Sequence, residues 1–161
     1  MHGGTQLRIN NVKDVVKIPL RIIEVDRGIK NIVEWLNSFF SVQTLYSCQG
    51  CTAKDPMIMA TQSDEEIMKT DYHSFLPYVS FTCNNFYHLE VITKCIQCFC
   101  DEERTKKNTC ISIRTEMDYC ESKQCLRYLL TLNDIKYADE LVNYYFKSYK
   151  PRLEAKIKDL P

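Results

Sequence analysis

Apolar residues recur along this chain in two rhythms, and the switches between them lay out the elements. Val15 to Val25 (VVKIPLRIIEV) is rich in β-branched residues and reads as extended; Pro19 inside it has no N–H and restricts that stretch to an edge or a bulge. Asp26 is a candidate helix cap. After it, Ile29, Ile32, Val33, Leu36 and Phe40 fall on one helical face, with Trp35 at the edge of the stripe. Val42 to Cys48 (VQTLYSC) reads as a strand that Gln49-Gly50 ends.

A polar stretch follows, too long for a bare connection, and is expected to form a flap or insertion over residues 52–76. Within it Ser63-Asp-Glu-Glu66 has the capping-box pattern ahead of Ile67-Met68, which predicts a short helix. In Pro77 to Cys83, Tyr78, Ser80 and Thr82 alternate with Val79, Phe81 and Cys83, as in a strand with two different faces. Asn84 or Asn85 caps a second helix, whose apolar face is Leu89, Ile92, Cys95, Ile96 and Phe99 and which gives way to a solvated loop over Asp101–Lys107. Cys110–Glu116 and Cys125–Leu132 read as two further strands. Asp134 caps a last helix with the face Ile135, Ala138, Leu141, Val142, Tyr145, Phe146 and Tyr149, which Pro151 should kink or split. The order is roughly β(αββ)2α. It predicts an α+β fold, a mixed or antiparallel sheet with helices on one face, in a single domain over 1–161.

Size and charge narrow the field. A chain of 161 residues with 45% hydrophobic and 26% charged residues can bury a real core. No apolar run approaches the roughly 20 residues of a membrane span, and the start, MHGGTQLRINN, lacks the basic and apolar regions of a secretory signal. The expected location is the cytoplasm, of the encoding cell or of a host. Acids and bases balance at 21 each, which disfavours a protein that lives on bulk phosphate contacts. Nine cysteines, an odd number, cannot all pair internally, and most are expected to be reduced core residues.

Several constellations carry candidate chemistry. Ser47-Cys48-Gln49-Gly50 is a strand end running into small residues; its backbone N–H groups and hydroxyl suit a ligand, although a tight turn with a buried thiol fits equally well. Cys48-x-x-Cys51 and Cys95-x-x-Cys98 together offer four thiolates for zinc, but residues 52–94 separate the pairs and Cys95 lies on an apolar helix face. Cys48 as a nucleophile needs a base; His2 is terminal, His88 suits a satisfied, partly buried position, and His73 lies in the flap. Arg114 and Arg127 sit mid-strand. They serve either as a fork for phosphate or carboxylate, or as partners of an acid such as Glu116 or Glu121. Among ten tyrosines and seven phenylalanines, Tyr46, Tyr78 and Phe81 lie on strands flanking the turn, where a ring can stack a base.

The run Val25-Asp26-x-Gly28-Ile29-x-x-Ile32-Val33-Glu34-Trp35-Leu36-Asn37-Ser38, followed by Thr44-x-x-Ser47-Cys48-x-Gly50, resembles the helix–strand–SCxG segment of the wybutosine-synthesis methyltransferase family, which modifies tRNA with S-adenosylmethionine. With Pro77-Tyr-Val-Ser-Phe81 it also resembles small phage and prophage proteins that carry the same helix, SCxG turn and PYVxF strand, the type of the Thoeris anti-defence sponges, which sequester a cyclic ADP-ribose-type signal. The chain departs from the methyltransferase pattern at Cys51, where that family has a basic residue, and it has one tryptophan, Trp35, with no later tryptophan-bearing glycine motif.

The leading expectation is therefore a non-enzymatic protein without cofactor that sequesters a nucleotide-like molecule, held by Ser47, Cys48, Gln49, Gly50, Tyr78, Phe81, Arg114 and Arg127. The alternative, which the methyltransferase resemblance implies, is an S-adenosylmethionine-dependent enzyme acting on tRNA through Arg104–Lys107 and Lys147–Lys158. The aromatic stripe of the 134–150 helix is a candidate homodimer face, and no membrane partner is expected.

Overall fold

The computed structural model describes residues 13–18, 21–50, 76–104, 109–120 and 123–161. Residues 52–75 of the expected flap, with its SDEE capping box and His73, and also Cys51, His2 and Pro19 lie outside them.

The extended stretch around Pro19 is two strands rather than one. β1 (Lys13–Ile18) and β2 (Arg21–Asp26) pair antiparallel from Lys13↔Asp26 to Ile18↔Arg21 and form a separate two-stranded sheet. A 3-10 turn (Arg27–Ile29) leads into helix α1 (Lys30–Asn37). Four more strands, β3 (Val42–Cys48), β4 (Tyr78–Cys83), β5 (Ile111–Cys120) and β6 (Lys123–Leu132), make an antiparallel sheet in the order β3-β4-β6-β5. Helix α2 (Phe86–Arg104) joins β4 to β5. After β6 come α3 (Lys136–Tyr144), a π-helical turn (Tyr145–Tyr149) and α4 (Lys150–Lys158). The fold is α+β.

Alternation decides which face is inside. Val42, Thr44, Val79, Phe81, Tyr128, Leu130 and Leu132 are buried and form one core with Ile32, Val33 and Leu36 of α1, Ile92, Cys95 and Phe99 of α2, and Leu141 of α3. Tyr46, Cys48, Tyr78, Arg127, Arg114 and Glu116 belong to the opposite, more polar face. Trp35, expected at the edge of its stripe, is buried among the rings of Phe39 and Tyr145, 6.0 and 5.3 Å away. Phe40 has the opposite fate. α1 stops at Asn37, where Ser38 Oγ donates back to the Trp35 carbonyl, so the helical period no longer applies and Phe40 is 82% exposed.

Two of the expected caps are present. Asn85 Oδ1 accepts the N–H groups of Tyr87 (2.9 Å) and His88 (3.2 Å), and Asp134 Oδ1 accepts that of Lys136 (3.0 Å). Asp26 makes no cap bond; its carboxylate is engaged elsewhere. Pro151 splits the last helix as expected. It falls in the first turn of α4, where its missing N–H costs nothing, and the π-helical turn ahead of it takes up the mismatch. Of the stripe expected as a dimer face, Ala138, Leu141 and Tyr145 are buried against the core, Ile135, Val142 and Tyr149 are partly buried, and Phe146 is exposed.

Candidate functional site

The site is built where β2 and β3 end together. Asp26 closes β2 and is 2% exposed. Its Oδ2 accepts the Gln49 N–H at 3.1 Å, and its Oδ1 takes the Lys13 ammonium from the first position of β1. The Gln49 side chain turns back, and its Oε1 accepts the Gly28 N–H at 3.2 Å. A Cβ on Gly28 would stand 2.9 Å from that Oε1 and 3.2 Å from Ile135 Cγ1, so any larger residue there would push the Gln49 side chain off this bond. Gly50 has φ 82°, and its N–H points to Cys48 Sγ at 3.3 Å.

These bonds revise the expected notch. The amide hydrogens of Gln49 and Gly50 meet a carboxylate and a sulfur of the protein itself. They are bonded to protein atoms, one on β2 and one at the end of β3, rather than presented to a ligand. The Asp26–Gln49 bond locks the end of β2 to the end of β3, although among the described residues the two strands share no ladder.

A hollow of about 390 Å³ lies in that seam, lined by Ile23, Glu24, Val25, Thr44, Leu45, Tyr46, Ser47 and Tyr78. A bulge shapes it. The β3–β4 register shifts between Thr44 and Tyr46, with Thr44 opposite Phe81 and Tyr46 opposite Ser80. Thr44 therefore faces the core while Tyr46, two positions on, turns to the other side and is 63% exposed. The Thr44 N–H is met by Asn37 Oδ1 (3.2 Å), and Asn37 Nδ2 donates to Thr44 Oγ1 (2.8 Å), which fastens the end of α1 to the bulge. Cys48 pairs with Tyr78 across β3 and β4. Burial, reinforced by the nearby Cys48, pushes the Tyr78 phenol up; Arg127 pulls it the other way.

The remaining expected residues separate. Phe81 points into the core, fully buried, with its ring 5.6 Å from that of Tyr128, and is not available to stack a ligand. Arg114 and Arg127 converge on one acid: Nε of each lies 3.0 and 3.1 Å from Glu116 Oε1 and Oε2 respectively. Of the two readings of that arginine pair, pairing with an acid is the observed one. Ser47 and Tyr78 are brought together at the seam, with Cys48 beside Tyr78.

His88 accounts for itself locally. Its Nδ1 is 2.7 Å from Ser41 Oγ, and its ring packs on Phe39 and Phe40. Ser41 precedes β3 and Cys48 ends it, so His88 stands roughly 20 Å from the Cys48 thiol and cannot act as its base. Among the described residues no group of three metal-ligating side chains forms a cluster. Cys95 is buried in the core, and burial pushes its thiol up to about 12.

That shift gives a testable sign. The thiol's ordinary value is about 8.5, so the stability it confers is complete below that pH and is lost as pH climbs toward 12. Burial raises Tyr144, Tyr145 and Tyr149 in the same direction. The urea midpoint should hold steady near neutrality and fall as pH rises above about 9, and native alkylation should reach the exposed Cys110 long before Cys95. A midpoint that rises through that range would contradict this.

A second hollow, of about 420 Å³, lies between α2 and β5, lined by Thr93, Ile96, Gln97, Cys100, Asp101, Thr109, Cys110, Ile111 and Ile113. It contains none of the residues expected to hold a ligand. Tyr46, singled out with Tyr78 and Phe81 as a ring that can stack a base, lines the seam hollow, whereas Glu24 was outside the expected site residues. The β-rich composition of VQTLYSC was visible, but nothing in it marks the bulge that turns Tyr46 outward.

No family model matches the chain, and neither a curated protein nor a solved structure does.

Proposed function

We propose that the protein is a non-enzymatic binder that sequesters a nucleotide-like small molecule in the seam between β2 and β3. The observation that carries this is the hollow itself, whose lining includes Ser47, Tyr78 and the exposed Tyr46. Its volume of about 390 Å³ falls in the range of small-molecule sites, about 300–1,000 Å³. Tyr46 offers a face for a base. Glu24 and the Ser47 hydroxyl suit the hydroxyls of a ribose. Lys13, held by Asp26 at the end of the seam, supplies a cation for a phosphate; its ammonium is raised chiefly by the hydrogen bond to Asp26 and stays charged at any physiological pH.

Recognition thus falls to side chains rather than to backbone donors. The resemblance to phage sponge proteins puts cyclic ADP-ribose isomers first among the ligands to try, as a phage-encoded inhibitor of an immune signal would bind them. Small molecules extracted from the purified protein should include a nucleotide by mass spectrometry, and calorimetry should give saturable heat with such isomers. Tyr46→Ala should weaken that binding about tenfold or more, the value of one lost stacking contact. Heat with S-adenosylmethionine and tRNA alone would favour the methyltransferase alternative; silence with every nucleotide would end the proposal.

A further inference from the structure

β5 is an edge strand of ten residues, Ile111–Cys120, and among the described residues no strand pairs with its outer side. The groups it presents there can be identified. Asn133 N–H donates to the Cys110 carbonyl (3.0 Å), so Cys110 directs its hydrogen-bonding groups toward β6. Leu132, paired with Ile111, donates its N–H to Pro77 instead (2.9 Å), so the Ile111 pair exchanges no bonds. Alternation along an antiparallel ladder then turns the N–H and C=O groups of Ile111, Ile113, Thr115 and Met117 outward.

We infer that this edge pairs with the β5 edge of a second copy of the chain, antiparallel, about a two-fold axis at Thr115. The sequence around that residue, Ile113-Arg114-Thr115-Glu116-Met117, is self-complementary in charge. Thr115 meets Thr115 of the second copy as a hydrogen-bonded pair. Arg114 then faces Glu116 of the second copy, and Glu116 faces its Arg114, both in the non-bonded positions where side chains approach most closely. Other registers lose this. A two-fold at Arg114 or at Glu116 sets like charges opposite one another, one at Met117 sets Glu116 against Asp118, and one at Ile113 leaves both charges facing Ser112 and Cys110.

Apolar surface fits the same register. Met117 is 56% exposed on the strand, and its β6 neighbour Leu126 is exposed beside it. The two-fold at Thr115 lays Ile113 of the second copy against Met117. An edge this long, unpaired and flanked by exposed apolar residues is a template for strand pairing, and its charges select one register rather than blocking all of them. The two sheets join into one of eight strands, four from each copy.

Charge exchange tests it on the whole chain. Sedimentation of the wild-type protein across a concentration series should show a monomer–dimer equilibrium. Arg114→Glu and Glu116→Arg should each weaken self-association about tenfold or more, since each turns two attractive pairs into two repulsive ones. Mixed together, the two variants should associate again. One copy then carries acids at both positions and the other carries bases at both, so every cross-strand pair is again of opposite charge. Amide exchange on the wild-type chain gives a readout independent of variant folding: Ile113, Thr115 and Met117 should slow with rising concentration. A monomer throughout, variants that associate unchanged, a mixture that stays apart, or concentration-dependent protection elsewhere than on β5 would each overturn the inference.

Discussion

Trp35→Ala should cost about 3–5 kcal/mol, the largest single loss expected from any substitution in the α1 layer. The side chain is buried between Phe39 and Tyr145, so it joins α1 to the π-helical turn at the far end of the chain. Removing it leaves a cavity that separately anchored elements cannot collapse to fill. The indole Nε1 is buried without a partner among the described residues, which is itself a cost. Trp35→Phe keeps most of the ring and removes that orphan donor, so it should lose less than half as much. Chemical unfolding of the two variants checks both statements. Equal losses would mean that the indole hydrogen has a partner or that the cavity is not the source of the effect.

Asp26→Ala should cost about 2–3 kcal/mol, from two charge-assisted hydrogen bonds lost at a buried carboxylate. The Gln49 N–H would be left without its acceptor, while Lys13, half exposed, would return to water. The hairpin β1–β2 would lose its attachment to the end of β3, and the seam hollow would open. Asp26→Asn keeps an acceptor for the Gln49 N–H and should lose about half as much. Ligand affinity should follow the same order, wild type above asparagine above alanine. Loss of stability with unchanged affinity would separate the lock from the site.

The elements themselves were legible because periodicity reports burial. Ile32, Val33 and Leu36, or Val79 against Tyr78, declare their faces directly. Asn85, Asp134 and Pro151 acted as their chemistry dictates. What the sequence concealed depends on partners distant along the chain. Asp26 has the spacing of a cap, yet a backbone N–H twenty-three residues away competes for it and wins. Phe81 reads as a flanking aromatic until the alternation of β4 is tied to the side that the helices cover. Arg114 and Arg127 look like an anion fork until the β5–β6 register sets Glu116 opposite Arg127. Tyr46 was legible as a ring flanking the turn, but the bulge at Leu45, which sets the face it takes, leaves no compositional trace.

The seam is where ligand and protein should meet. Backbone amide shifts recorded as cyclic ADP-ribose isomers are titrated into the protein test that directly. The predicted result is a saturable set of changes confined to Ile23–Val25, Thr44–Ser47 and Tyr78. Changes that spare those residues and gather instead around Thr93, Gln97 and Thr109, between α2 and β5, would contradict it.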